Sequence, residues 1–311
     1  MNLSILLAKQ ILSMILMIAA GFGAARAKIF PPGTDRALST LTLYIICPCL
    51  MFSSMQMDYN SSMLNGFLLA AAAAALVNAF FILLSKLTGR IIRADSLERA
   101  SMIYSNAGNL ILPLISEVLG KEYLFYAGGY LAVQTVFFWT HGLALISGHP
   151  TKNLRKILTN PNIDALILGL IFFFLPIRLP GVLEQTIEKI GNTIGPISMI
   201  GIGIIMSGMP LAKAFSDRRA WLICILRLFL FPAAAIVLIA LTGITRRFAW
   251  TGMVLIATEL AASAPTAVNI AQTARIYDQD AAGAGQINVL STILCIFTMP
   301  LMLMFYQALC M

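Results

Sequence analysis

Charge is what this sequence has least of. Of its 311 residues only 11% are Asp, Glu, Lys or Arg, against 59% hydrophobic. Soluble domains carry roughly 25% charged and about 45–50% apolar residues. Too few charges remain to coat a soluble core, which excludes an ordinary soluble globular protein. Histidine is down to two residues, and there is no HExxH zinc pattern, no GxxxxGK[ST] phosphate loop and no GxSxG elbow. Nothing resembles a channel's selectivity filter. The five cysteines (Cys47, Cys49, Cys224, Cys295, Cys310) are odd in number and mostly lie in apolar runs. Cys47-Pro48-Cys49 has the wrong spacing for paired zinc ligands, so they read as small buried hydrophobes and no metal site is expected. Long polar stretches are missing too, the longest connection lying between Ser147 and Pro161.

What is present is a succession of apolar runs of the length that spans a hydrocarbon core of about 30 Å. They predict ten spans near 3–25, 36–56, 63–87, 97–118, 122–147, 161–178, 186–210, 218–242, 248–274 and 281–308. The N-terminal run contains Lys9 and extends past Ala20, so it reads as a retained first helix and not a cleaved leader. Alternate loops hold Arg26, Lys28, Arg36; Lys86, Arg90, Arg93, Arg99; Lys152, Arg155, Lys156; Lys213, Arg218, Arg219; and Arg275. The other loops hold only Lys121, Arg178, Lys189, Arg246 and Arg247. The richer set belongs in the cytoplasm, which puts both termini outside. The net charge of +8 therefore sets topology and does not point to nucleic acid. Ten spans make two five-helix halves of opposite orientation: 1–147, a cytoplasmic linker 148–160, and 161–311. The fold class is all-α and polytopic.

The halves carry matching punctuation. Pro48 interrupts the second span and Pro196 the seventh. The fourth carries Ser105-Asn106-Ala107-Gly108-Asn109-Leu110-Ile111-Leu112-Pro113, and the ninth Glu259-Leu260-Ala261-Ala262-Ser263-Ala264-Pro265-Thr266-Ala267-Val268-Asn269. Proline removes a donor and displaces the carbonyl four residues earlier. In lipid, groups freed this way cost several kcal/mol unless protein or a wet cavity satisfies them. Corresponding interruptions in two halves point to a transport site. The expectation is that these segments meet and leave main-chain groups facing a wet pocket, lined by Asn106, Asn109, Thr266 and Asn269 and shaped by Pro113 and Pro265. Half-helix dipoles would favour an anion there.

Ionisable residues inside the spans are Lys9, His141, Asp164, Arg227 and Glu259. Glu259 would bind a coupling cation or carry a proton, or else form a structural ion pair with Arg227. Arg227 would face a substrate carboxylate or sit in a structural network. Gln134 and Thr135 complete a polar site near the fourth-span break or bond to neighbouring backbone. Lys9 reads as snorkelling, Asp164 as interfacial and His141 as structural. Asn60-Ser61-Ser62 matches a glycosylation acceptor, a pattern too short to carry weight.

At Asn106 to Pro113 the sequence resembles the auxin efflux carrier family, which includes plant PIN-type carriers and bacterial organic-acid carriers. The likeness continues through Leu43-Tyr44-Ile45-Ile46-Cys47-Pro48, Arg227 with Pro232, Ala264 to Asn269, Ala274 to Asp280, Leu290-Ser291-Thr292 and Thr298-Met299-Pro300. The resemblance implies an inverted five-plus-five fold similar to the bile acid sodium symporters, with spans four and nine crossing at Pro113 and Pro265. It implies Asn106 near a substrate carboxylate, and a small acid such as malate or malonate, since the long insert of the plant members is missing. By likeness to the sodium symporters, Glu259 with Asn106, Asn109, Gln134 and Thr135 is the candidate site of a sodium ion; no other cofactor is expected. The expected protein is a secondary carrier of the inner membrane, working by alternating access, with a panel of spans one, two, six and seven moving against a core. Its expected partners are the anion and the bilayer, with a homodimer as the candidate assembly. Competing readings are a membrane-embedded receptor, a sodium-coupled symporter of a bile-acid-like substrate, and an intramembrane enzyme. The last lacks an acidic partner for Glu259.

Overall fold

The computed structural model describes residues 3–57, 60–149, 159–175, 178–208 and 215–311. Most of the expected linker, with Lys152, Arg155 and Lys156, lies outside these residues, as does Lys213. In chain order the helices are α1 Leu3–Arg26, α2 Thr34–Ser54, α3 Ser61–Ile92, α4 Ser96–Ile103, α5 Leu112–Val118, α6 Lys121–Ser147 and α7 Pro161–Phe174. They continue as α8 Gly181–Ser207, α9 Arg218–Thr242, α10 Ile244–Arg247, α11 Ala249–Ala262, α12 Val268–Ile276 and α13 Ala281–Cys310. Six of them (α2, α3, α6, α8, α9 and α13) are long and apolar enough to cross a membrane. Shorter apolar helices cover Leu12–Arg26, Pro161–Phe174 and Trp250–Ala262. Large apolar side chains such as Leu76, Ile91, Leu241 and Phe297 stand exposed on the outside of the bundle. This is an all-helical, multi-pass membrane protein.

Proline shapes the helices in a repeated way. Each of Pro48, Pro113 and Pro232 follows a single wide π turn: Thr42–Ile46, Ala107–Ile111 and Leu226–Leu230. The N–H just before each proline reaches back five residues, to Thr42 O, Ala107 O and Leu226 O. The wide turn makes room for the ring without losing the helix axis. A fourth π turn, Phe138–Gly142 in α6, has no proline and carries His141.

α1, α2, α7 and α8 pack on one another: α1 runs along the second half of α8, and the end of α2 sits against α7 and the first half of α8. α3, α6, α9, α11 and α13 form a second set through the pairs α3–α6, α3–α11, α6–α11 and α9–α13. Small residues set the closest approaches. A Cβ on Gly203 would overlap Ile18 O and fall 2.7 Å from Phe22 N, and one on Gly21 would overlap Ile200 O. α1 and α8 therefore touch backbone to backbone, the packing used in lipid where apolar burial gives no drive. The two sets join at Lys121–Glu188, 2.5 Å, and at the Phe125 and Phe173 rings, 5.1 Å between centroids.

A polar clamp ties the turn between α3 and α4 to the start of α9. Asp95 and Glu98 form a capping box at the start of α4. Arg219, at the start of α9, grips Glu98 through Nε at 2.5 Å and Nη2 at 2.7 Å, and donates from Nη1 to Ile92 O at 2.8 Å. The forked guanidinium thereby holds the α3–α4 turn against α9. Gly203→Val should force α1 from α8 and lower the melting temperature by the equivalent of about 1–3 kcal/mol; Gly23→Val, where a Cβ meets nothing within 4 Å, should not. Thermal unfolding of the purified proteins compares the two.

Candidate functional site

Two helices, α4 with α5 and α11 with α12, are interrupted midway, and the interruptions meet. α4 ends at Ile103 and the chain runs extended to Asn106; α11 ends at Ala262 and runs irregularly to Ala267. Ser105 and Thr266 face each other in an isolated antiparallel bridge. Asn106 N–H donates to Pro265 O at 2.8 Å, and Ala267 N–H to Tyr104 O at 3.0 Å. Flanked by these two bonds, Ser105 and Thr266 form a non-hydrogen-bonded pair, whose own N–H and C=O groups point outward.

Those outward groups are met by side chains from opposite directions. On one side Gln134 of α6 donates from Nε2 to Ser105 O at 2.9 Å, while its Oε1 accepts from Ser105 Oγ at 2.5 Å and from Ser105 N–H at 3.3 Å. On the other, α13 supplies two residues. Ser291 Oγ accepts Thr266 N–H at 3.1 Å, and Asn288 Nδ2 donates to Thr266 O at 2.5 Å. Thr266 Oγ1 donates to Ser101 O at 3.1 Å. Tyr104 is anchored by its hydroxyl, which bonds Phe137 O at 3.0 Å and His141 Nδ1 at 2.8 Å.

The expected unpaired main chain facing a wet pocket is therefore corrected. The freed groups are satisfied by the opposing break and by amide and hydroxyl side chains. The neighbouring cavity is apolar and about 20 Å³, room for about one water. It lies between α1 and α8 on one side and Leu110, Leu114 and α13 on the other, with Met14, Met199 and Met299 in its wall.

The sequence-derived residues do not all meet at one site. Asn106, Pro265 and Thr266 are buried at the crossing, and Pro113 is buried a turn beyond. Asn106 keeps a buried Nδ2 with no partner. Asn109 belongs to the π turn by its backbone, and its side chain lies outside the described set. Asn269 is exposed on the first turn of α12. Gln134 is at the crossing, whereas Thr135 donates at 2.7 Å to Leu131 O of its own helix. Glu259 and Arg227 are buried just behind the crossing, at 1% and 0% exposure, Glu259 accepting from Ser263 of the break and Arg227 donating to Met102 O. Ser101, Asn288 and Ser291 were missed as site residues, although polar residues in the apolar run of α13 were a readable signal.

Gln134→Met and Asn288→Leu should each strand a buried backbone group and cost about 1–3 kcal/mol of stability. Thr135→Val, which removes only a bond within its own helix, should cost less; thermal unfolding in detergent ranks the three.

A family model described as membrane transport protein matches residues 6–154 and 149–303. An uncharacterized transporter of Methanothermobacter thermautotrophicus is 28% identical over 201 residues, covering 63% of this chain and 63% of that one. The chain thus matches less than two thirds of that relative's length. The family is one of transport proteins and not of enzymes. With the family model covering nearly the whole sequence, the chain belongs to the membrane transport protein family, that of the auxin efflux carriers whose motifs it bears.

Proposed function

We propose that this protein is a secondary carrier of a small organic anion, working by alternating access. The observation that carries the reading is the crossing of two severed helices, with the partnerless amide of Asn106 beside it. Ala107 and Val268 open helical stretches away from that crossing. First turns leave N–H groups unspent and add positive dipole ends, which suit a carboxylate. The ten-span, two-half arrangement accords with Gln134 serving Ser105 as Asn288 and Ser291 serve Thr266. In this reading each half contributes a broken helix and the helix that supports it.

A cavity of about 20 Å³ is too small for malate, so a substrate enters only when the α1–α2–α7–α8 set separates from the rest. The cavity wall, Met14 and Met199 against Leu110 and Met299, is the surface along which such a movement runs. Methionine and leucine side chains slide there without breaking hydrogen bonds. In this reading the basic loops lie in the cytoplasm and both termini outside a bacterial-type inner membrane.

Protein reconstituted in liposomes should exchange labelled malate or malonate, assayed with and without sodium and proton gradients. No exchange with any carboxylate would count against the carrier. Asn106→Ala should reduce exchange about 10–100-fold, the loss of one hydrogen bond to a charged group, while leaving the melting temperature nearly unchanged. A parallel fall in both would make Asn106 a structural residue.

A further inference from the structure

Behind the crossing, side chains and main chain of α3, α4, α6, α9, α11 and α13 surround two charges. Arg227 is on α9, where the π turn Leu226–Leu230 changes the helix phase; Ile225, Phe229 and Leu230 face outward and Arg227 faces in with no exposed surface. Its Nη1 donates to Met102 O at 3.4 Å, and its Cζ lies 5.6 Å from the Phe81 ring centroid. Its Nε and Nη2 have no partner. Glu259, on α11, accepts from Ser263 Oγ one turn later, and its Oε2 has no partner.

Among the described residues no ion pair joins Arg227 to Glu259, yet each lies in the other's field, and Tyr130 of α6 lies in the field of both. Ser105 at the crossing and Asn78 on α3 lie within electrostatic range of the Tyr130 hydroxyl. Tyr306 and Cys310 of α13 are the further titratable groups within range of Glu259.

A carboxylate buried this deeply needs a compensating positive charge. Three sources exist in chemistry: a proton, a metal cation, or a cation of the protein itself. The Arg227 nitrogens and the Glu259 oxygen are left without any other partner, and the helices that carry them, α9 and α11, are in contact. Cation–π contact with Phe81 holds the guanidinium in place meanwhile.

We propose that Arg227 is the built-in counter-cation of Glu259, occupying the electrostatic role of a coupling metal ion, so that the carrier cycles without taking one up. This deepens the carrier reading and rests on it only for its consequence in transport. The pairing itself is tested without substrate, by thermal unfolding in sodium chloride and in choline chloride. Arg227→Gln and Glu259→Gln should each lower the melting temperature by about 5–10 °C, and the double variant should recover to near the wild type, because no lone charge remains. The wild type should melt alike in both salts.

Additive losses in the double variant would overturn the pairing. Stabilisation of the wild type by sodium that disappears in Glu259→Gln would assign the site to the metal instead. Where a single Gln variant does not fold, Arg227→Lys carries the comparison: it keeps the charge and should fold, and its failure alongside a folded Arg227→Met would overturn the proposal. In liposomes the consequence is exchange that is indifferent to replacing sodium by choline. Absence of any exchange would strike the carrier reading and leave the melting result standing.

Discussion

A peptide group that loses its helical partner inside a bilayer has no water to turn to, and this protein answers that constraint by making two broken helices hydrogen-bond to each other. The Asn106–Pro265 and Ala267–Tyr104 bonds use up the inward main-chain groups. Gln134, Asn288 and Ser291 use up the outward ones. Few non-helical residues can be stabilised at such depth, because each needs a dedicated partner. The result is a rigid knot whose two emerging first turns still have N–H groups to offer.

Pro265 lies in the knot itself, and π turns limit the damage done by the other prolines. Where proline follows a wide turn, as at Pro48 and Pro232, the helix continues. At Pro113 the wide turn begins right after the extended residues, so the helix restarts from the crossing and is not merely bent. At Pro265 no such turn intervenes, and the chain stays non-helical until Val268. The same device on α9 re-aims Arg227 into the protein, linking backbone accommodation to where the buried charge ends up.

Much of this was legible in the residues. Apolar runs located the helices closely, since a lipid-facing helix must be apolar over its whole length. Pro265 beside Thr266 announced where the ninth span breaks; Pro113 did not mark the fourth, whose break at Tyr104 to Asn106 precedes it and meets Pro265 and Thr266 there, so the expected crossing at Pro113 is corrected to Ser105. What could not be read was the partner of each freed group: a polar residue in an apolar run signals a hydrogen bond but not its acceptor. Gln134 and Thr135 are adjacent and similar in sequence, yet one serves the crossing and the other its own helix. Neither hydropathy nor periodicity marks a π turn, so the inward direction of Arg227 emerged only from packing, although the sequence already offered a pairing with Glu259. The wet pocket failed for the same reason, because pairing between the breaks competes with water for the same groups.

The antiparallel register of the crossing is open to direct chemical measurement. Facing residues of a non-hydrogen-bonded pair have Cα atoms about 4.5 Å apart, within the range a disulfide bridges. With the five native cysteines replaced, the Ser105→Cys/Thr266→Cys protein should form an intramolecular disulfide in the membrane, detected by mass spectrometry of a peptide linking residues 105 and 266. Shifting the second partner from Thr266 to Ile270 should abolish it. Free thiols at both positions under oxidising conditions, or equal cross-linking from the shifted site, would contradict the crossing on which the account stands.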